Sequence, residues 1–211
     1  MAKNSELQIS HEKTLEDLYV VCTHYLDEAV ERAVRAAISR LYEKLKQVSD
    51  SEQGDYSYAV NLMESNVEWL VGKVIVPLLK ILREHTFDRD HLQSIDSISD
   101  KNLSIVSKDE FEDWLLVDVS KKKLERSFSE ELQKICAIFA TLKGCYVDER
   151  GLPIGPEQLL TSFKNAIDAL EIPAVAQVTI YRSATTALLD DLQRFYSEVI
   201  SKARAQGIVV M

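Results

Sequence analysis

Apolar residues recur every three or four positions along most of the chain, which is the spacing of one face of an α-helix. The first stretch of this kind runs from Leu15 to Val48, and a second apolar stripe beside it begins at Val30. Two neighbouring stripes predict a helix that is covered over more than a narrow seam. The residues before Leu15 lack this period, so residues 1–12 are predicted to form a flexible tail.

The next apolar pattern predicts a second helix from about Tyr56 to Ile81, after a polar connector. Pro77 lies within this helix and has no N–H to donate, so a kink is expected near Lys73. A short strand over Val74–Val76 is the alternative for the same apolar run.

A third helix is predicted to begin at Ser107, because Ser107 and Glu110 have the spacing of a capping box. Its apolar residues continue to Leu142, and Gly144 stands where a C-terminal cap is expected. The segment 151–156 follows, and its two prolines and two glycines predict a rigid turn.

Pro156 and Pro173 each stand where a helix can begin, because an N–H in the first turn has no partner within the helix. A fourth helix is therefore predicted from Pro156, and a fifth from Pro173 to Gly207. Five helices and no convincing pair of strands indicate an all-α fold, an antiparallel helical bundle of about five helices.

A polar segment divides these helices into two groups. Residues 13–86 are predicted to form an N-terminal helical pair, residues 87–102 a polar linker or short helix, and residues 103–211 a C-terminal part of three helices. A chain of 211 residues with 46% apolar residues can build one sizeable core, so both groups are expected to pack as one domain.

Charge and cysteine content narrow the class of protein. The formal net charge of −9 repels phosphate backbones and acidic lipids, so neither nucleic-acid nor membrane binding is expected. The three cysteines, Cys22, Cys136 and Cys145, have no CxxC spacing, which argues against a disulfide framework or a zinc site. The longest apolar run, Trp69–Leu82, is too short to span a bilayer. We therefore expect a soluble cytoplasmic protein without a cofactor.

Several segments, most of them in the C-terminal half, resemble a bacterial family known as domain of unknown function family 1631. The segments are Leu103–Val106, Asp109–Leu115, Leu152–Pro156, Phe163, Ile180–Tyr181 and Gly207–Val209. The signature residues within or beside them are Ser107, Glu110, Trp114, Leu115, Pro153, Gly155, Pro156, Phe163 and Tyr181. The resemblance is good over Asn102–Met211 and fainter over Leu15–Leu82.

This resemblance implies a context more than an activity. Members of the family are several hundred residues longer, so the chain resembles the N-terminal part of one, and some are labelled thymidine phosphorylases. Some relatives accompany PilZ domains, the receptors for cyclic di-GMP, which implies a signalling neighbourhood. The chain itself has no Arg-x-x-x-Arg motif, and Val60 stands where the second PilZ motif requires glycine. Direct binding of cyclic di-GMP is therefore not predicted.

One short segment has the residue types of a metal site. His85, Asp88, Asp90 and His91 supply imidazole and carboxylate ligands for a divalent cation, as a helical metal-dependent phosphohydrolase would need. The chain has no His-Asp dipeptide, and the segment is strongly polar. A solvated linker is therefore the preferred interpretation, and the metal site is the alternative.

One basic cluster could bind an anion or an acidic partner. It consists of Lys121, Lys122, Lys123 and Arg126. A nucleotide sensor that uses this cluster is a second alternative function. The preferred interpretation is a solvated helix face that the acids at residues 109–113 offset.

No catalytic constellation accompanies these apolar stripes, so a non-catalytic protein–protein interaction or regulatory module is the predicted function. Neighbouring acids such as Glu110 and Glu112 do not share a helix face. The wide stripes of Leu15–Val48 and Val178–Ala203 predict more apolar surface than one small bundle covers. Self-association into a homo-oligomer is therefore also expected.

Overall fold

A computed structural model of the chain describes residues 2–87, 108–144 and 146–208. These residues form seven α-helices and one short 3-10 turn, with no strand among them. The helices are α1 (Ala2–Leu45), α2 (Asp50–Ser65), α3 (Val67–Phe87), α4 (Lys108–Ser127), α5 (Ser129–Lys143), α6 (Pro156–Asp168) and α7 (Ala174–Ala205), and the turn is Glu149–Gly151. The all-α prediction is confirmed, whereas the predicted number of five helices is wrong.

The first additional break divides the predicted second helix at Asn66. The backbone of Asn66 leaves the helical region at φ −126° and ψ 21°. Its side-chain Nδ2 donates to the Leu62 carbonyl oxygen at 2.8 Å, so the amide satisfies an acceptor at the end of α2. The apolar run over Val74–Val76 lies within α3, so the alternative of a strand is wrong, and α3 continues through Pro77.

The second additional break divides the predicted third helix at Phe128. Its backbone has φ −121° and ψ 20°, and its side chain is buried. The ring packs edge-on against Tyr196 with 5.4 Å between ring centroids. The apolar period continues across Phe128 unchanged, so the periodicity alone could not reveal the break.

Helix α1 begins at Ala2, where the sequence pattern predicts a flexible tail over residues 1–12. Extension of an existing helix adds one hydrogen bond for each residue that is fixed. Good helix formers such as Leu7 and Gln8 can therefore continue a helix without an apolar stripe.

Helices α1 and α7 form the long antiparallel pair on which the other helices pack. Asp17 accepts from Gln206 at 2.8 Å near one end. Farther along, Arg32 donates to Asp191 at 2.9 Å. The Ser183 hydroxyl on α7 donates to a backbone carbonyl of α1 at 3.0 Å, which requires close approach of the two helices. Small buried residues on α1 permit this approach, namely Ala29, Ala33 and Ala37.

The wide apolar stripes of α1 and α7 are thus buried within the chain. Their large residues include Leu18, Leu26, Leu41, Leu188, Leu192 and Phe195, all with at most 1% of their surface exposed. Self-association was predicted because one bundle seemed too small to cover these stripes, and α1 and α7 cover them together. The homo-oligomer stays a prediction, but uncovered apolar stripes on α1 and α7 no longer support it.

The remaining helices surround this pair. Helix α3 packs between α1 and α6, while α4 and α5 pack against α7. The N-terminal part therefore contains three helices instead of a pair, and it shares its core with the C-terminal part. None of the helices that the structure describes has an apolar stretch long enough to cross a lipid bilayer.

The turn Leu152–Pro156, which connects the 3-10 turn to α6, is buried throughout. Gly155 has an ordinary φ of −76°, so its conformational freedom is not what the turn requires. A Cβ at Gly155 would lie 3.1 Å from the Leu152 carbonyl oxygen and 3.3 Å from that of Glu149. Glycine is favoured there because a side chain would press on the backbone of the turn. Pro156 begins α6, as predicted.

Candidate anion-binding groove

A groove with a volume of about 560 Å³ lies where α1, α2 and α7 meet. We call it the basic groove. The described residues that line it are Arg40, Lys44, Tyr56, Val175, Val178, Thr179, Arg182, Ser183 and Thr186. This volume is within the range of small-molecule sites in proteins, roughly 300 to 1,000 Å³.

Three cations line the groove from two helices. Arg40 and Lys44 lie one turn apart near the C-terminal end of α1, and Arg182 lies opposite them on α7. The antiparallel register of α1 and α7 brings them together across more than 130 positions of sequence. No carboxylate occurs among the described lining residues. On a chain with a net charge of −9, the groove is therefore a local site of positive charge.

The cations differ in how they are already used. Arg40 forms a surface ion pair with Glu43, and about half of each side chain is exposed. Such a pair contributes little, about 0 to 1 kcal/mol, so a bound anion can replace it. Within the part of the chain that the structure describes, neither Lys44 nor Arg182 has an acidic partner. Two of the three cations are thus available to a ligand.

The hydroxyl groups of the groove hold its walls in place. Ser183 donates to the Ala36 carbonyl oxygen at 3.0 Å, and Thr186 donates to that of Arg182 at 3.0 Å. The buried Tyr56 hydroxyl lies 3.2 Å from the Val175 carbonyl oxygen and joins α2 to α7. Because these protons are directed at the backbone, the donors available to a ligand belong chiefly to the cations.

The apolar periodicity and the motifs of the sequence do not reveal this groove. Arg40 and Lys44 have a spacing at which like charges on one helix face repel each other. That spacing is a weak signal of a site, because such a pair costs only about 0.2 to 0.5 kcal/mol. Arg182 could not be connected to them, because the connection depends on the register of α1 against α7.

The predicted basic cluster on α4 is partly neutralised. Lys121 lies 2.6 Å from Glu157, and Lys122 lies 2.6 Å from Asp118. The Lys121–Glu157 pair joins α4 to the first turn of α6. Lys123 and Arg126 are exposed on the same helix. These partners are Glu157 and Asp118, while the side chains of the acids at 109–113 lie outside the described residues, so the solvated face stays a prediction.

The predicted metal site falls mostly outside the described residues. His85 is part of α3, but Asp88, Asp90 and His91 lie beyond the described range. Within the described ranges, no three His, Cys, Asp or Glu side chains come together as metal ligands would. The metal hypothesis stays a prediction.

The signature residues build the interior, as far as they are described. Pro153, Gly155, Pro156, Phe163 and Tyr181 are all buried. The ring of Phe163 packs edge-on against that of Tyr181 with 6.5 Å between centroids. Helix α4 begins at Lys108, next to the predicted cap Ser107, which itself lies outside the described residues. Glu110, Trp114 and Leu115 are helical, and their side chains are not described.

The groups with strongly raised pKa values lie in the core and not in the groove. Burial raises the pKa of the Cys22 thiol and of the Tyr196 hydroxyl, which donates to the Ile154 carbonyl oxygen at 3.0 Å. Burial, together with Glu149 and Asp148, raises the pKa of the Cys136 thiol to about 11. Cys136 is therefore protonated at neutral pH.

A second surface is formed by the outer face of α3. Trp69 is 43% exposed and Val76 is 65% exposed, so both present apolar area to the outside. The Lys73 ammonium lies 5.9 Å from the centroid of the Trp69 ring, a cation–π contact. A partly exposed tryptophan of this kind is a common anchor in protein interfaces.

Comparison with known proteins gives one match. The model of the family described as "Protein of unknown function (DUF1631) N-terminal domain" matches residues 10–199, which is most of the chain. No curated protein and no solved structure matches.

Proposed function

The chain belongs to the DUF1631 family through its N-terminal domain, and we propose that this domain is a non-catalytic binding module with an interaction or regulatory role. We also propose that the protein is a cytoplasmic bacterial protein in a signalling context. This part of the proposal rests on the family resemblance. The free, buried thiols of Cys22 and Cys136 support a reducing compartment.

The observation that carries the proposal is the basic groove. Arg40, Lys44 and Arg182 converge on one concave site, while no described lining residue is acidic. Cations that line one groove repel one another, so their presence together favours a bound anion. We infer that the module recognises an anionic group there.

The non-catalytic part of the proposal rests on where the perturbed groups lie. Catalytic sites combine strongly shifted pKa values with a cleft. Among the described residues, the large shifts belong to Cys22, Cys136 and Tyr196, and burial is the first cause of each. None of the three lines the basic groove, so the groove is proposed to bind without bond-making.

Nuclear magnetic resonance of the whole chain tests anion recognition. Methyl signals of Val175 and Val178 should shift when pyrophosphate or a hexaglutamate peptide is added at low salt, because both residues line the groove. A Lys44→Gln/Arg182→Gln variant should lose these shifts. The Lys123→Gln/Arg126→Gln variant removes two exposed cations elsewhere and should keep them. Unchanged methyl signals with both anions would end the proposal.

A protein partner at the outer face of α3 is the second candidate function. The exposed Trp69 and Val76 favour it, since interface energy concentrates on a few large apolar anchors. Capture experiments with the intact protein should lose the partner with Trp69→Ala. They should retain it with Tyr146→Ala, which removes a still more exposed aromatic residue. Equal capture by both variants would remove this candidate.

A further inference from the structure

We infer that the basic groove holds the phosphate end of a phosphorylated small molecule of nucleotide size. This inference rests on the proposed function and deepens it, because it names the class of anion. The competing occupant is the carboxylate side chain of an acidic protein segment.

The number of cations favours phosphate over carboxylate. One guanidinium matches one carboxylate through two parallel hydrogen bonds. The groove instead offers Lys44 and Arg182 together, both unpaired within the described ranges, with Arg40 beside them in an exposed ion pair to Glu43. A phosphate monoester carries about 1.5 to 2 negative charges at neutral pH and three acceptor oxygens, so it can use several cations together.

The hydrogen-bond donors of the groove also favour a phosphate. Ser183 and Thr186 donate to backbone oxygens, so guanidinium and ammonium groups supply most of the hydrogen bonds to a ligand. The planar guanidinium of Arg182 suits two oxygens of one phosphate, and the Lys44 ammonium acts as a point charge. Both lie at the wall of one groove, on different helices.

The shape of the groove indicates what carries the phosphate. Its volume of about 560 Å³ is larger than inorganic phosphate needs, and it is an open groove lined by residues of α1, α2 and α7. Val175 and Val178 add apolar surface to the wall, beside the ring of Tyr56. Apolar walls with a few convergent polar groups are typical of sites for small organic ligands. A flat organic ring fits beside the valines while its phosphates meet the cations.

Calorimetry on the whole chain, at low ionic strength and without divalent cations, separates the possible occupants. The probes are ADP, pyrophosphate, adenosine and a hexaglutamate peptide. We expect ADP to bind more tightly than pyrophosphate, because only ADP can use the apolar wall, and we expect no heat from adenosine. Arg182→Gln should weaken ADP binding by roughly tenfold or more, since a charged hydrogen bond is lost.

Matched variants connect the binding to the groove. Arg126→Gln removes an exposed arginine from α4 and should leave ADP binding unchanged. Val178→Ser should weaken ADP and leave pyrophosphate unchanged. Circular dichroism and thermal melting of each variant show that the fold is intact, so a loss of binding reports on the site.

Each outcome of this experiment decides between the occupants. Binding of hexaglutamate without binding of either phosphate probe overturns this inference and leaves anion recognition by the groove in place. Equal affinity for ADP and pyrophosphate overturns the nucleotide-sized ligand. ADP binding that Arg182→Gln does not change places the phosphate elsewhere and also overturns the inference. If none of the four probes binds, both this inference and the proposed function are wrong.

Discussion

The Leu152–Pro156 turn and the basic groove are opposites in how they use their polar groups. In the turn, the backbone is buried, and the Ile154 carbonyl oxygen accepts from the Tyr196 hydroxyl at 3.0 Å. In the groove, Lys44 and Arg182 have no acidic partner among the described residues. A buried polar group that is paired serves the fold, whereas unpaired like charges that face one another weaken it.

This contrast separates the residues of the predicted family signature from the residues proposed to bind an anion. The described signature residues, such as Gly155 and Phe163, lie in the interior and determine packing. The cations of the groove belong to no recognisable motif. Substitutions should therefore affect stability in the first region and binding in the second.

The largest expected effect on stability comes from Phe163→Ala. Phe163 is 1% exposed and contacts Tyr181, so its removal leaves a cavity in the core and costs about 3 to 5 kcal/mol. Tyr146→Ala is the control, because Tyr146 is 85% exposed and should change stability by at most about 0.5 kcal/mol. Urea unfolding measures both. Similar midpoints for the two variants would contradict the assignment of Phe163 to the core.

Gly155→Ala should have the next largest effect. The added Cβ would press against two backbone carbonyl oxygens at 3.1 and 3.3 Å, so the turn must shift, at a cost of about 1 to 3 kcal/mol. Gly54→Ala is the matched control, since a Cβ at Gly54 in α2 meets nothing within 4 Å. That variant should be as stable as the native chain or gain up to about 1 kcal/mol. A neutral Gly155→Ala would show that the turn is looser than described.

Alkaline pH should lower the free energy of unfolding through Cys136. Its pKa rises from an ordinary 9.0 to about 11, so the native thiol holds its proton more tightly than the unfolded thiol does. The protonated thiol makes its full contribution to the free energy of unfolding below about pH 9. This contribution falls as the pH rises towards 11, by about 1 kcal/mol between pH 8 and 10. Cys22 and Tyr196 act in the same direction, so the measurement compares the chain with Cys136→Ala. The variant should lose less stability over this interval, and an identical loss would refute the assignment.

The smallest effect on stability is expected in the groove. Arg182→Gln removes an exposed cation that lies near Arg40 and Lys44, so the free energy of unfolding should change by no more than about 0.5 kcal/mol. The same variant should weaken anion binding by roughly tenfold or more. Thermal melting beside calorimetry on one sample checks both statements. A destabilisation as large as that of Gly155→Ala would make Arg182 a residue of the fold and remove the contrast between the two regions.

Much of the fold could be predicted from the sequence because helices bury periodic stripes. The boundaries at Gly144, Pro156 and Gly207 follow from local rules about proline and glycine, and the structure has them where expected. The breaks at Asn66 and Phe128 could not be predicted in the same way. Phe128 continues the apolar period, and only its contact with Tyr196, on a distant helix, accompanies the change of direction.

The groove could not be predicted because no local rule connects its parts. Arg40 and Lys44 are neighbours on one helix, but Arg182 reaches them only through the pairing of α1 with α7. The predicted cluster at Lys121 and Lys122 differs from the groove, because its charge is visible in the local sequence. Local sequence showed its charge, while the neutralising contact with Glu157 required the position of α6.

The pairing of α1 with α7 also has a consequence for synthesis on the ribosome. Asp17 accepts from Gln206, 189 positions later, so α2 and α3 can pack on the first helix long before α7 emerges. Contacts between residues so far apart in sequence form late and slow folding. Until then the side of the first helix that packs on α7 stays exposed, and apolar surface exposed during synthesis favours aggregation.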